Sequence, residues 1–157
     1  MNISAAGWYR TQVPVRFRDL DAMGHAHHTL PLVYLEEARA AFWRELKRDA
    51  TLEAIDYVMA EITLRFHARI LYPGSVTVSL AITRVGSRSF TTDFDVSGPD
   101  GTRLSSGSAV QVAYDYAAGV SKPIDADVRT QLEAWATARQ NSSEIPAETK
   151  PITAPST

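Results

Sequence analysis

The amino-acid sequence predicts an α+β fold in which a curved antiparallel sheet wraps around one long amphipathic helix. Three observations support this prediction. Apolar residues recur at helical spacing from Leu30 to about Arg48 and form one stripe along that segment. Later segments alternate apolar and polar residues with a period of two, as half-buried strands do. Short turn sequences join three of these strands in succession, which favours hairpins and therefore an antiparallel sheet.

A short strand is predicted near the start of the chain. Val13, Val15 and Phe17 alternate with polar or turn-forming residues. Pro14 indicates an edge position, because proline has no N–H to donate to a neighbouring strand. Residues 19–28 follow, and they show neither the helical nor the strand period, so we predict a loop there.

The helix is predicted to begin directly after this loop. Thr29 is expected to cap it with its hydroxyl, and Pro31 fits the first turn, where its missing N–H costs nothing. The predicted buried stripe consists of Leu35, Ala38, Phe42 and Leu46, widened by Tyr34 and Ala41. Basic residues gather in the last turns, where the helix dipole favours them.

Four further strands are predicted, at residues 58–68, 76–83, 90–96 and 104–114. The first two are joined by a turn at 72–75, and tight hairpin turns are predicted at 86–87 and 98–101. For the last strand we expect one face to carry Leu104, Ser106, Ser108, Val110, Val112 and Tyr114.

A short closing helix is predicted after these strands. Asp125 is expected to cap it, with Val128, Leu132 and Trp135 on one face. The residues from Asn141 onward are rich in Pro, Ser and Thr and show no apolar period. We therefore expect one domain over 1–140 and a flexible tail over 141–157.

Composition narrows the function classes. The chain has 157 residues, of which 45% are hydrophobic and 22% charged, as in an ordinary globular domain. It has no cysteine, which excludes thiol nucleophiles, iron–sulfur clusters, cysteine zinc sites and disulfides. A formal charge of −2 argues against nucleic acid or an anionic membrane as partner. The sequence shows neither a secretory signal nor an apolar run of about 18 residues, so we expect a cytoplasmic protein.

The candidate site is the loop that leads into the helix. It reads Asp19-Leu-Asp21-Ala-Met-Gly24-His25-Ala-His27-His28 and holds three of the four histidines. One interpretation is a polar surface loop in which an aspartate only caps a turn. The functional interpretation is that a long loop delivers polar groups to a helix N-terminus, whose free N–H groups stabilise negative charge.

A metal site is an alternative interpretation of the same loop. His25, His27, His28 and Asp21 offer nitrogen and oxygen ligands. Adjacent histidines rarely point at one ion, however, and no distant carboxylate with supporting spacing stands out. We therefore expect no metal and no cofactor. Motifs of serine hydrolases, of nucleotide-binding glycine-rich loops and of zinc proteases are absent from the sequence.

The loop and the helix after it resemble a known family. The loop, with the strand before it and Glu36-Glu-Ala-Arg39 after it, is similar to hotdog-fold thioesterases of the 4-hydroxybenzoyl-CoA thioesterase type. Further matching segments lie in the family's order at 60–68, 73–74, 83–90, 100–101 and 106–107. The resemblance covers roughly residues 10 to 135.

The resemblance implies a hotdog fold and hydrolysis of an acyl-CoA or related thioester. Asp21 matches the catalytic carboxylate, which acts as nucleophile or as general base. His28 matches the position whose backbone N–H polarises the thioester carbonyl. Gly24 matches the close turn between them, and His25 is a further candidate in the same motif. The resemblance also implies self-association into a dimer or tetramer, with active sites between subunits.

A second set of candidates follows from the same resemblance. Ser87, Arg88 and Ser89, together with Arg84, match a hairpin that contacts the pantetheine arm and the nucleotide phosphates of CoA. The alternative for either arginine is an ordinary solvated face.

Glu36 and Pro31 are less clearly placed by the resemblance. Glu36 matches a catalytic helix carboxylate of a related branch, or else pairs with Arg39 three residues on. Pro31 stands where many relatives have a tyrosine in the acyl pocket, and His27-His28 stands where many have Asn-Asn or Tyr-His.

Two other functions are compatible with the sequence. One is a non-catalytic module that binds acyl groups or CoA on the same fold, since a fold alone does not establish catalysis. The other is a hotdog hydratase or dehydratase. Those enzymes usually separate Asp and His by four residues, whereas three residues separate Asp21 from His25 and five separate it from His27.

Overall fold

The structure is a computed structural model that describes residues 7–142. The predicted tail therefore lies outside the described residues from position 143 on. The helices and strands are β1 (Tyr9–Val15), α1 (Leu30–Lys47), β2 (Tyr57–Phe66), β3 (Gly74–Val85), β4 (Ser89–Ser97), β5 (Arg103–Asp115), β6 (Val120–Ser121) and α2 (Ala126–Gln140). Short 3-10 turns lie at Phe17–Asp19 and Leu52–Ala54.

The strands form one antiparallel sheet in the order β1-β3-β4-β5-β2, with β6 paired to β5. The predicted hairpins at 86–87 and 98–101 join β3 to β4 and β4 to β5, as expected. β1 lies at one edge of the order, which confirms the edge position inferred from Pro14. Register shifts between Met59 and Glu61 in β2 and between Ile82 and Arg84 in β3 bend these strands, because a bulge adds a local kink. The sheet is accordingly curled.

Helix α1 has the predicted bounds and the predicted buried stripe. All four stripe residues and Tyr34 are buried, and Ala41 is half-buried. The sequence interpretation missed Trp43, whose ring stacks on Phe90 of β4 with centroids 5.2 Å apart. Apolar side chains of α1, α2 and the sheet belong to one buried cluster.

Two helices, rather than one, pack on the sheet. α2 packs against β3, and its Trp135 contacts Phe42 of α1 and Tyr9 of β1 edge-on. β1 pairs only with the first half of β3, as far as Leu80, so the rest of that edge is left without a strand partner from β1. The expectation of a sheet wrapped around one helix is therefore incomplete. Neither helix within 7–142 combines the length and the hydropathy needed to cross a bilayer.

Three local predictions are wrong. Phe17 does not continue β1, because the chain turns at residues 17–19 and leaves its ring 75% exposed. Thr29 lies at the start of α1, but its hydroxyl bonds to His27 instead of capping the helix. The closing helix begins after Asp125, whose carboxylate makes no cap and instead lies 3.5 Å from the Lys122 ammonium.

On the last strand, the face predicted to carry Val110 and Val112 is the less buried one in that region. The buried residues between 109 and 113 are Ala109, Gln111 and Ala113, whereas Val110 and Val112 are half-buried. Gln111 lies opposite Phe90 in the register, and the Phe90 ring stacks on Trp43 of α1, so this face of β5 is the one turned towards α1. In β2 the alternating apolar residues are half-buried at Val58, Ile62 and Leu64 and exposed at Ala60 and Phe66, since β2 is the other edge strand.

Candidate active site

The loop between β1 and α1 is closed into a tight turn. Leu20 and Ala26 form an isolated antiparallel bridge, and the N–H of Asp21 donates to the carbonyl of His25 at 3.1 Å. The N–H of Gly24 donates back to the Asp21 carbonyl, also at 3.1 Å. Gly24 has a φ of +79°, a conformation that glycine adopts without strain. The chain thus bends sharply at the predicted glycine.

The Asp21 carboxylate lies on this turn and is half-buried. Its Oδ1 accepts the backbone N–H of Met23 at 2.9 Å, which fixes the side chain relative to the turn. Among residues 7–142, no hydrogen bond or ion pair uses its Oδ2. One carboxylate oxygen is thus held in place while the other is available to a water or a substrate.

Asp19, two residues earlier, is the carboxylate that anchors the loop. It is 6% exposed, and its Oδ2 accepts the Tyr34 hydroxyl at 2.6 Å and the Arg16 N–H at 2.9 Å. Burial, followed by the hydrogen bond to Asp19, raises the pKa of Tyr34, so this phenol stays a donor. The Asp19 carbonyl also accepts the His27 N–H at 2.9 Å. Asp19 therefore ties both ends of the loop to the first turns of α1.

The sequence interpretation missed this role of Asp19. The available signal was Tyr34, which lies on the apolar stripe of α1 but carries a hydroxyl. A buried tyrosine hydroxyl usually has a hydrogen-bond partner, and a carboxylate close to the start of the same helix is a suitable one.

The three histidines surround the entry to α1. His27 Nδ1 lies 2.9 Å from the Thr29 hydroxyl, and its ring packs on that of His28 with centroids 4.0 Å apart. His25 Nδ1 lies 3.3 Å from the Ala26 carbonyl. The His28 N–H makes no hydrogen bond within the described part of the chain, and it lies two residues before Leu30, the first residue of α1. An uncommitted N–H thus lies at the positive end of the helix dipole.

The hairpin predicted to contact phosphate, around Arg88, does not lie at the Asp21 loop. The Arg88 guanidinium donates to the Ser121 carbonyl at 2.9 Å, so it is held by the β6 segment. Arg129 of α2 donates to the carbonyls of Gly86 and Ser87 and fixes the hairpin tip. Arg84 is exposed, and its guanidinium makes no hydrogen bond or ion pair with other residues of the described chain.

Within a single chain, this hairpin lies far from Asp21. The loop lies beside the start of β3, because the N–H of Ala26 donates to the Ile70 carbonyl at 2.9 Å. The hairpin lies at the other end of β3, which has 12 residues. At about 3.3 Å per residue, the extended strand would separate the two by roughly 35–40 Å.

Glu36 and Arg39 form the ion pair that the sequence spacing suggested. Their side chains lie 3.1 Å apart, with Glu36 58% exposed and Arg39 7% exposed. The Arg39 guanidinium also lies 5.0 Å from the centre of the buried Tyr57 ring. The pairing favours the structural interpretation of Glu36.

Exposed apolar side chains lie next to the Asp21 loop. Phe17 packs edge-on against Tyr72 at 5.9 Å, and the two residues are 75% and 43% exposed. Leu71 and Met23 are also exposed, at 59% and 72%. This surface, formed by Phe17, Met23, Leu71 and Tyr72, is called the apolar rim below. It can bind an apolar group or a second protein surface.

Within 7–142, no three His, Asp or Glu side chains gather closely enough to hold an ion. The arrangement offers instead a fixed carboxylate, a free backbone N–H at a helix N-terminus and an adjacent apolar surface.

Comparison with known protein families assigns most of the chain to one of them. A family model described as the thioesterase-like superfamily matches residues 15–132, more than half of the chain. Comparison with curated protein sequences found no match.

Several solved structures are similar to this chain. A thioesterase from Thermus thermophilus, complexed with coenzyme A and Zn, has 28% sequence identity and a TM-score of 0.71, covering 78% of this chain and 95% of its own. A gentisyl-coenzyme A thioesterase has 24% identity and a TM-score of 0.70, covering 79% and 99%. A Bacillus stearothermophilus protein, a thioesterase by prediction, has 24% identity and a TM-score of 0.74, covering 81% and 95%. At 24% identity, the last two show a likeness of fold alone.

Proposed function

This chain belongs to the thioesterase-like superfamily, and on that premise we propose that it hydrolyses a thioester of CoA or of a carrier protein. The products are a free acid and a free thiol. The observation that carries the proposal is the pairing of a fixed, half-buried carboxylate with an uncommitted N–H at the entry to α1. A carboxylate can activate water for acyl transfer, and an N–H donor can stabilise the negative charge that develops on the carbonyl oxygen.

Asp21 is assigned the carboxylate role. As a general base it takes a proton from water, whose oxygen then adds to the thioester carbonyl carbon. The C–S bond breaks, and the thiolate leaves with the proton that Asp21 held. As a nucleophile, Asp21 itself adds to the carbonyl, expels the thiolate and forms an anhydride that water then hydrolyses. The available Oδ2 serves either route.

The His28 N–H is assigned the stabilisation of negative charge on the carbonyl oxygen. Loss of a donor of this kind typically costs about 10²–10³ in rate. The turn at Gly24 holds the two groups on one short loop, and Asp19 fixes that loop to α1 through the Tyr34 hydroxyl. Because the donor is backbone, the His28 side chain is free to vary.

We further propose that the protein has the hotdog fold, with α1 as its central helix, and acts as a dimer or tetramer. In one chain, Asp21 and the hairpin around Arg88 lie at opposite ends of β3. A second copy placing its hairpin near this loop would complete a site for an elongated thioester. The edge strand β2 and the apolar rim are surfaces for that pairing.

CoA is proposed as the thiol component. The Thermus thermophilus structure at 28% identity is a complex with coenzyme A, which supports a CoA thioester over other thioesters. The apolar rim beside Asp21 suits the acyl group.

Pro31 is buried in the first turn of α1.

The test is thiol release from a panel of aliphatic and aromatic acyl-CoAs. We expect the wild type to hydrolyse at least one member and Asp21→Asn to lose most of that activity. Asp127→Asn removes an exposed carboxylate from α2 and is the matched control, with activity unchanged. Full activity in Asp21→Asn would refute the assignment of Asp21.

The same panel separates the other candidate functions. CoA binding without turnover of any thioester would support the binding module. Hydration of an enoyl-CoA would support the hydratase. Either outcome would overturn the proposal.

A further inference from the structure

A serine and a histidine meet on the sheet face that points away from the core. Ser106 lies in β5, and His67 directly follows the last residue of β2. In the register Ser106 is opposite Asp95 of β4, which follows the core residue Phe94. Because successive strand residues point to opposite faces, Asp95 and Ser106 face away from the core. The His67 Nε2 lies 2.7 Å from the Ser106 hydroxyl oxygen, and neither residue belongs to the Asp21 loop.

The backbone fixes both members of this serine–histidine pair. The His67 N–H donates to the Leu104 carbonyl at 2.8 Å, which ties the residue to β5. Ser106 is 7% exposed, so its hydroxyl has little freedom to turn towards solvent. With the ring proton on Nδ1, His67 accepts the serine hydroxyl at Nε2. This is the arrangement of an activated nucleophile and its base, whose heavy atoms lie about 2.6–3.2 Å apart.

The imidazole of His67 is in its basic form at neutral pH. Burial, and then the charge of Arg103, lower the pKa of this ring. The charge of Asp95 acts in the opposite direction, so it stabilises the imidazolium once the ring has taken a proton. Asp95 is buried and forms an ion pair with Arg103. His67 is therefore free to accept the Ser106 proton, and a fixed carboxylate is close enough to offset the charge that results.

Ser106 lines a cleft of about 360 Å³. Arg65 of β2 is directly opposite it in the register and lines the same cleft, with Cβ atoms of such pairs about 5 Å apart. A guanidinium at this distance can stabilise the negative charge that develops on a carbonyl oxygen. Asp93, in the next row opposite Ser108, balances the charge of Arg65, and the Trp8 ring adds an apolar wall. The cleft therefore suits an uncharged substrate.

We propose that Ser106 is a nucleophile that accepts an acyl group from a small, uncharged activated ester, with His67 as its base. The serine oxygen bonds to the carbonyl carbon while its proton passes to His67 Nε2. The bond from that carbon to the leaving oxygen then breaks, and the leaving oxygen takes the proton from His67. Ser106 remains as an ester and the alcohol departs. The volume is at the lower end of small-molecule sites, about 300–1,000 Å³, so the acyl group is short.

The test is reaction of the full chain with p-nitrophenyl acetate at neutral pH. We expect a burst of p-nitrophenolate stoichiometric with the protein, and peptide mass spectrometry should place the acetyl group on Ser106. Ser106→Ala should abolish the burst, and His67→Gln should slow it by about 10²-fold or more. Ser108→Ala is the matched control, because it removes a hydroxyl from the same strand and the same cleft. We expect its burst to equal that of the wild type.

Mapping the acetyl group in the wild type keeps the test valid if a variant folds poorly, because it needs no substitution. Turnover after the burst identifies a second hydrolytic site, and a stable adduct identifies a modification site; both support the proposal. Absence of a burst, labelling of Ser106 no faster than of Ser108, or an unchanged burst in His67→Gln would overturn it. No readout uses a thioester, so this proposal and the assignment of Asp21 can fail separately.

Discussion

Tyr34→Phe removes one oxygen atom from the contact that anchors the Asp21 loop. The Tyr34 hydroxyl donates to Asp19 Oδ2 at 2.6 Å, and both residues are buried. Phenylalanine keeps the aromatic ring in the hydrophobic core beside α1, so its packing against neighbouring apolar groups is retained. The substitution thus isolates one hydrogen bond to a buried carboxylate.

The expected cost follows from the bonds that Asp19 keeps. After the substitution, the Arg16 N–H at 2.9 Å still donates to the same oxygen. A hydrogen bond to a charged group contributes about 1.5–3 kcal/mol, and loss of one leaves a buried acceptor partly unsatisfied. We expect the free energy of unfolding to fall by about 2 kcal/mol, and Tm by about 4–8 °C for a domain of this size.

Urea unfolding at neutral pH measures this loss. Tyr72→Phe is the matched control, because Tyr72 is 43% exposed and its hydroxyl makes no bond within the described chain. We expect Tyr72→Phe to change stability by less than about 0.5 kcal/mol. We also expect Tyr34→Phe to lower the rate of thiol release, because the loop that carries Asp21 loses its anchor. Equal stability of the two variants would refute the anchoring role.

Two further predictions concern the sheet and the charge network beside it. Gly107→Ala is expected to lower the free energy of unfolding by about 3 kcal/mol, measured in urea. The added Cβ would overlap the Thr63 carbonyl of β2 and lie 2.7 Å from the Phe94 ring. Ser108→Ala should lower it far less, and an equal loss would contradict the clash. Burial alone would raise the pKa of Asp56, but hydrogen bonds from Lys122 and Lys47 outweigh it and lower that pKa. The stability that Asp56 provides is then present above its unfolded pKa of about 3.9 and is lost as pH falls through the lower folded value. Asp56→Asn should cost about 2 kcal/mol at pH 7 and less below pH 4, and a cost independent of pH would contradict the assignment.

Local patterns predicted those parts of the fold that depend on neighbouring residues. The α1 stripe, the hairpin turns and the edge position of Pro14 each follow from a short window of sequence. The buried face of β5 could not be predicted from a short window of sequence. Its valines are only half-buried, whereas the polar Gln111 is buried together with Ala109 and Ala113. That choice depends on packing between segments that are distant in sequence.

In the candidate site, too, the local features could be predicted from the sequence and the long-range contacts could not. The bend at Gly24 and the position of the loop before α1 follow from the local sequence. From the sequence alone, Asp19 and Asp21 are equally plausible catalytic carboxylates, and only the fold distinguishes them. Asp19 is buried because Tyr34, 15 residues later, donates to it, whereas Asp21 keeps an available oxygen. The separation of Asp21 from the Arg88 hairpin depends on where β3 runs in the sheet, which no motif encodes.

The central claim is that the Asp21 carboxylate performs the chemical step of thioester hydrolysis. Single-turnover hydrolysis of the best acyl-CoA, with enzyme in excess, measures that step without product release. We predict that Asp21→Asn lowers this rate by about 10²–10⁴-fold, while Asp127→Asn leaves it unchanged. A single-turnover rate in Asp21→Asn within about twofold of the wild type would contradict the claim.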